Sequence, residues 1–182
     1  VPVAIILPEN WKGMMVFWVF TEGKSGLFRK NAEMDARVKK LMDAGIAVMS
    51  ADLFRQGEFL KAGEISEESI KLDYSDKSEK PGQEWRRSPV YYYGYNDSVF
   101  SKRVHDILSC VSFVKNHKEW HVETLGIVGL EGAGHWVATA AAVAGKSIDR
   151  TVAMTDDFRF SKLKSTWDPN FLPGAVKYGD MG

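Results

Sequence analysis

Between Gly129 and His135 the chain reads Gly-Leu-Glu-Gly-Ala-Gly-His, and here side chains capable of chemistry meet a demanding backbone. An apolar run through Leu125, Ile127 and Val128 stops at Gly129, and an alanine-rich segment continues to Ala144. Strand, tight turn and helix is the predicted order. A strand that turns into a helix over so few residues forces one of them into strained backbone. It also leaves no room for side chains alongside, which accounts for Gly129, Gly132 and Gly134. The residue left at the apex is Glu131. A carboxylate at the positive end of a helix is stabilised by about 0.3–1 kcal/mol, so Glu131 can occupy an anion site by accepting the turn's own N–H groups. A metal site of Glu131, His135 and Asp156 or Asp157 would need residue 131 on a helix face, and a turn apex is not helical. No metal and no cofactor are therefore expected.

The other reactive side chains read as structural. His105 and Asp106 lie beside Arg103 on a predicted helix and form a polar edge, and His117 and His121 flank a helix-to-strand connection without further ligands at metal spacing. Cys110, the single cysteine, sits in an apolar helix pattern and is expected to be a buried small hydrophobe. Tyr91, Tyr92, Tyr93 and Tyr95 either pack an irregular insertion onto the sheet or form a rim that binds sugars or aromatic groups.

Charge and composition narrow the function classes. Lys and Arg number 24 against 24 Asp and Glu, with no basic cluster of the kind that neutralises phosphates, so no nucleic-acid partner is expected. Apolar runs such as Met14 to Phe20 are of strand length, far short of the roughly 20 residues a membrane span needs. A chain that is 45% hydrophobic and 12% aromatic is globular and expected to be soluble. Its compartment is left open, an extracytoplasmic one included.

The elements that must position the apex follow in chain order. Val1 to Leu7 and Met14 to Phe20 are predicted strands, adjacent and antiparallel. The polar loop Thr21 to Gly26 follows at a carboxyl end of the kind where open α/β sheets bind ligands. Arg29 to Ala44 has near-helical apolar spacing and stops at Gly45, and Ile46 to Met49 is a short strand ending in Ser50-Ala51-Asp52. From about 53 to 97 the periodicity fails, and the acid-rich stretch Glu58 to Lys80 cannot bury a core. One domain spanning 1–182 with an irregular insertion is the expected organisation. Asn96-Asp97-Ser98 caps a helix marked by Val99, Phe100, Val104, Ile107, Leu108, Val111 and Val114 and running to about Asn116. Beyond the apex and its helix, the second half of Ile148 to Met154 is a further strand, and Ser161 to Gly182 reads as an ordered loop.

This order, together with Gly129-Leu130-Glu131-Gly132-Ala133-Gly134, resembles the central part of the α/β-hydrolase superfamily, whose nucleophile elbow is usually Gly-x-Ser-x-Gly. Trp11-Lys12-Gly13, Glu22-Gly23-Lys24, Ala51 to Phe59, Arg103-Val104-His105-Asp106 and Asp168 to Gly174 are similar to acetyl-xylan-esterase-like and dienelactone-hydrolase-like members, many of them bacterial. The resemblance implies an α/β-hydrolase-like, mostly parallel sheet with helices on both faces, incomplete at its C-terminal side. It also implies acyl transfer on a small or carbohydrate ester.

Carried over by position, Glu131 stands where the serine nucleophile would be. Gly132 and the loop holding Glu22 and Gly23 would supply oxyanion N–H groups, and Asp156 or Asp157 would be the acid. The family's histidine comes late in the chain, yet no histidine follows His135, whose place on the elbow helix makes it a weak substitute. Further polypeptide, or a second chain, is therefore expected to complete the sheet. A glutamate can be a nucleophile by analogy with the aspartate of haloalkane-dehalogenase-like relatives. Its extra methylene overshoots, and a misplacement of about 1 Å can cost on the order of a hundredfold in rate. Altered or lost serine-esterase chemistry is the first expectation, and a non-catalytic binding or structural module, a pseudoenzyme, is the alternative.

Overall fold

The computed structural model describes residues 1–29, 32–61 and 89–181. Five strands form one sheet: β1 (Val3–Ile6), β2 (Met14–Val19), β3 (Ala47–Ala51), β4 (Thr124–Gly129) and β5 (Arg150–Ala153). They lie in the order β1-β3-β2-β4-β5. β3, β2, β4 and β5 run parallel, with Met14 opposite Thr124 and Val19 opposite Gly129, and β1 is antiparallel to β3. The adjacency expected of β1 and β2 is therefore corrected, because β3 lies between them. Chain order is a poor guide here: the crossover through α1 (Ala36–Asp43) is long enough to place β3 on either side of β2.

The hydrophobic pattern explains the layers. All five residues of β3 are buried, as expected for a strand covered on both faces. Val38 of α1 packs with Trp18, Phe20, Leu27 and Val48 on one face, and Val128 of β4 joins that cluster. Gly129 points to the opposite face, where α4 (Gly134–Ala144) supplies Val137. Helices thus cover both faces. α3 (Val99–Asn116) buries Val104, Ile107, Val111 and Val114. Among the described residues no helix is long and apolar enough to cross a membrane.

α1 starts seven positions later than its apolar spacing predicts. Asp35 accepts a hydrogen bond from Arg37 N at 2.8 Å and caps the helix there, worth about 1 kcal/mol. Before it, Arg29 N donates to the Glu33 carbonyl at 2.7 Å, and Phe28 bridges Met34. Cys110 is buried as expected, and burial pushes its thiol up to about 12.

The described residues fall into two compact units, one drawn from Val1–Ser66 and Arg103–Asp157, the other from Glu67–Lys102 and Phe158–Gly182. The first holds the sheet. In the second, the span read as irregular contains a short helix, α2 (Pro89–Tyr95), while residues 62–88, with most of the acid-rich stretch, lie outside the described residues. Within this unit Tyr92 and Tyr93 pack on Trp167, Tyr93 also meets Phe171, and Tyr93 Oη donates to the Thr166 carbonyl at 2.7 Å. The C-terminal segment is the ordered loop that was expected, tied by Asp180, which accepts from Ser161 Oγ and from the N–H groups of Phe160, Ser161 and Met181. Those bonds, the Ser161 hydroxyl first, hold its carboxyl well below the usual carboxylate range.

Candidate functional site

The reversal after β4 is built as the glycine spacing requires. Glu131 has φ +53°, a left-handed conformation that costs a non-glycine residue about 1–3 kcal/mol, and Ala133 N closes the turn on the Leu130 carbonyl at 3.1 Å. Its surroundings leave no alternative. A Cβ on Gly134 would lie 1.9 Å from the Met154 carbonyl oxygen, and one on Gly129 would lie 2.5 Å from Val137 Cγ2. Met154 N also donates to the Gly129 carbonyl at 2.9 Å, so the segment after β5 is bonded to the end of β4.

The apex carboxylate is not turned back onto its own turn, which corrects the expectation that it accepts the turn's N–H groups. Glu131 Oε1 pairs with Arg37 Nη1 at 3.1 Å, and its side chain is 64% exposed. Arg37 is held from two further directions. Asp35 accepts from its Nε at 3.0 Å, and its guanidinium stacks over Trp18 at 5.1 Å. Asp35, hydrogen-bonded to Arg37, is held below the usual carboxylate range. Beside this pair lies an open groove of about 510 Å³, lined by Phe20, Glu22, Ser25, Gly26, Phe28, Arg29, Arg37 and Glu131.

The loop after β2 meets the elbow at Thr21, whose Cγ2 would lie 3.2 Å from a Cβ on Gly132. Gly132 directly follows the apex, with φ +92°. Gly23 N, by contrast, donates to the Phe20 carbonyl at 3.3 Å, and the Glu22 carboxylate accepts from Thr21 Oγ1 at 3.2 Å. Asp156 and Asp157 are exposed after β5 with φ +50° and +56°. Neither is the partner of Glu131. His135 is buried on the first turn of α4, with its ring edge-on to Trp136 at 5.1 Å, and it is not a partner of Glu131 either. Among the described residues no three His, Cys, Asp or Glu side chains converge as a metal cluster.

Sequence reasoning missed the polar groups that hold the site's loops. Asp52, 1% exposed at the end of β3, accepts from Lys24 N at 2.9 Å, from Glu58 N at 3.1 Å and from Lys24 Nζ. Lys24 Nζ also pairs with Glu58. Burial opposes ionisation of Asp52, but the Lys24 and Glu58 hydrogen bonds outweigh it and hold the carboxyl below the ordinary 3.8. Gly23 and Gly57 are glycines because a Cβ on either would come within 2.3 Å of this carboxylate. Gln56, fully buried, donates through Nε2 to the Phe20 and Thr21 carbonyls at 3.2 and 2.9 Å. From α3, Arg103 Nε donates to the Phe54 carbonyl at 3.1 Å while Asp106 accepts from Phe54 N at 2.7 Å. Arg103, 2% exposed, also lies 4.4 Å from the Trp136 ring centroid, so this residue is a buried clamp beside the exposed His105 and the partly buried Asp106. The visible signal was Asp52, Arg55, Gln56 and Glu58 within seven residues directly after a fully buried strand.

No protein-family model matches the chain, and no curated protein matches it. Among solved structures it is similar to "Ferulic Acid bound to Est1E from Butyrivibrio proteoclasticus", with 17% identity and a TM-score of 0.50, over 82% of this chain and 46% of that one. The chain therefore spans under half the length of that structure. At this identity the likeness shows the fold alone: an α/β fold, a mostly parallel five-stranded sheet with helices, that covers about half of that structure.

Proposed function

We propose that this chain is related to carboxylic ester hydrolases, with acyl transfer lost, and that the groove beside Glu131 binds a small or carbohydrate ester. One observation carries the reading: the elbow backbone is intact at φ +53°, but the side chain it presents is a glutamate whose carboxylate is engaged by Arg37. An attacking oxygen must sit about 3–3.5 Å from the carbonyl carbon in the correct direction. A carboxylate drawn sideways to a guanidinium is not so placed. Hydrolysing an acyl-enzyme also needs a base, and His135 is buried with its ring against Trp136 rather than paired with Glu131.

The strain at Glu131 favours a second reading, a glutamate nucleophile, because an elbow of this form is the device that projects an attacking group. Hydrolysis of p-nitrophenyl acetate by the full protein separates the two. The proposal expects no turnover above buffer in the wild type. Turnover that disappears in Glu131→Gln would overturn it in favour of the carboxylate nucleophile. A non-catalytic binding or structural module is the limiting form of the first reading, in which even ester binding is absent.

The same proposal includes further polypeptide, in cis or as a second chain, paired with β5. The support is physical: β5 is a parallel edge strand with Arg150, Thr151 and Val152 exposed, and Val152 is 54% and Met154 45% accessible.

A further inference from the structure

Arg37 is more firmly fixed than its partner. Asp35 takes one edge of the guanidinium through Nε at 3.0 Å and Nη2 at 3.4 Å, and Asp35 is itself held by the N–H of Arg37 at the start of α1. Trp18 supports the flat face. A guanidinium offers five N–H donors in a rigid fork suited to carboxylates, and one held in place by its surroundings binds an anion with little further loss of freedom. What meets Nη1 is the exposed Glu131 carboxylate, through a single bond of 3.1 Å. An exposed pair of this kind is worth a factor of about five at most. Another carboxylate arriving in the groove can displace it.

We propose that Arg37 is an anion-recognition residue and Glu131 its built-in competitor, so that the groove takes a small carboxylate with an apolar body. The proposal rests on reading the groove beside the elbow as a ligand site. Phe28, 45% exposed, offers the apolar wall, and Arg29 adds a second cation on the same rim. Glu22 and Asp35 oppose more than one negative charge, so the site suits a monoanion and disfavours a phosphate or a dicarboxylate. Glu131 leaves when the ligand carboxylate enters, and the charge facing Arg37 is unchanged.

The test is isothermal titration of the full protein with benzoate and with its neutral counterpart benzamide. Benzoate is expected to bind in preference to benzamide, about fivefold more tightly to Glu131→Gln than to wild type, and about fivefold more weakly to Arg37→Gln. Arg37→Lys, which keeps the charge but loses the fork, should fall between wild type and Arg37→Gln and serves if the glutamine variant does not fold. Equal binding of benzoate and benzamide, no gain in Glu131→Gln, no loss in either Arg37 variant, or no benzoate binding at all would each overturn the proposal. The p-nitrophenyl acetate result is independent: turnover lost in Glu131→Gln sinks the proposed loss of acyl transfer, whereas failure of benzoate binding leaves that assay's outcome standing.

Discussion

Replacing Asp52 by alanine should be among the most damaging single changes in the described part of the chain. The carboxylate is buried and receives Lys24 N, Glu58 N and Lys24 Nζ, so its removal leaves two backbone N–H groups without their acceptor and an ammonium without its buried partner. Removing one member of a buried ion pair costs about 3–5 kcal/mol. Lys24 retains Glu58 and is partly exposed, which pulls that cost to the lower end. The two orphaned N–H groups add about 1–3 kcal/mol each where water cannot reach them. A loss of at least about 5 kcal/mol follows, or about 10–20 °C or more in Tm for a chain of this size. Urea unfolding followed by circular dichroism measures it. The pH dependence has a definite sign. The folded carboxyl is held below its ordinary 3.8, so the stability it contributes is fully present above that value and is lost as pH falls through the lowered one. The gap between wild type and Asp52→Ala should therefore close in acid. A loss under about 1 kcal/mol, or a gap that does not narrow below the ordinary carboxyl value, would refute the account of these loops.

Three further outcomes are expected. Gly134→Ala should destabilise by about 2–3 kcal/mol in the same urea assay, because its Cβ would meet a backbone carbonyl that cannot move without breaking the bond from Met154 N to Gly129. Glu131→Gly should stabilise by up to about 1 kcal/mol, read as a higher urea midpoint, since the relief of left-handed strain exceeds the loss of an exposed ion pair. Cys110, with its thiol near 12 and its side chain buried, should react with a disulfide reagent at mildly alkaline pH only after unfolding, as read by thiolate release in urea.

The parts of the fold legible from sequence were those set by local rules. The glycine spacing from Gly129 to Gly134 placed the reversal and its strained apex, and the apolar stripe from Val99 to Val114 placed α3. Strand order was not legible, because nothing local to β1 or β2 says that β3 will lie between them. The start of α1 was misjudged because a cap at Asp35 overrode an apolar periodicity that continued upstream. The polar clamps were missed for a different reason. Lys24 and Asp52 are 28 positions apart, and Arg37 and Glu131 are 94 apart, so their pairing exists only once the sheet has formed. Glu131 was recognised as the apex, but its partner was sought within the turn, while the structure supplies it from α1.

The pose at position 131 is imposed by its neighbours and owes nothing to the glutamate itself. Met154 crowds Gly134, Val137 crowds Gly129, and the backbone between them keeps its path. Position 131 is consequently a socket: serine, cysteine, aspartate or asparagine placed there would be delivered to the same spot beside the groove without recasting the fold. Exchanging the head group at this apex is then a local event, which changes what is offered to the groove and leaves the backbone that offers it untouched.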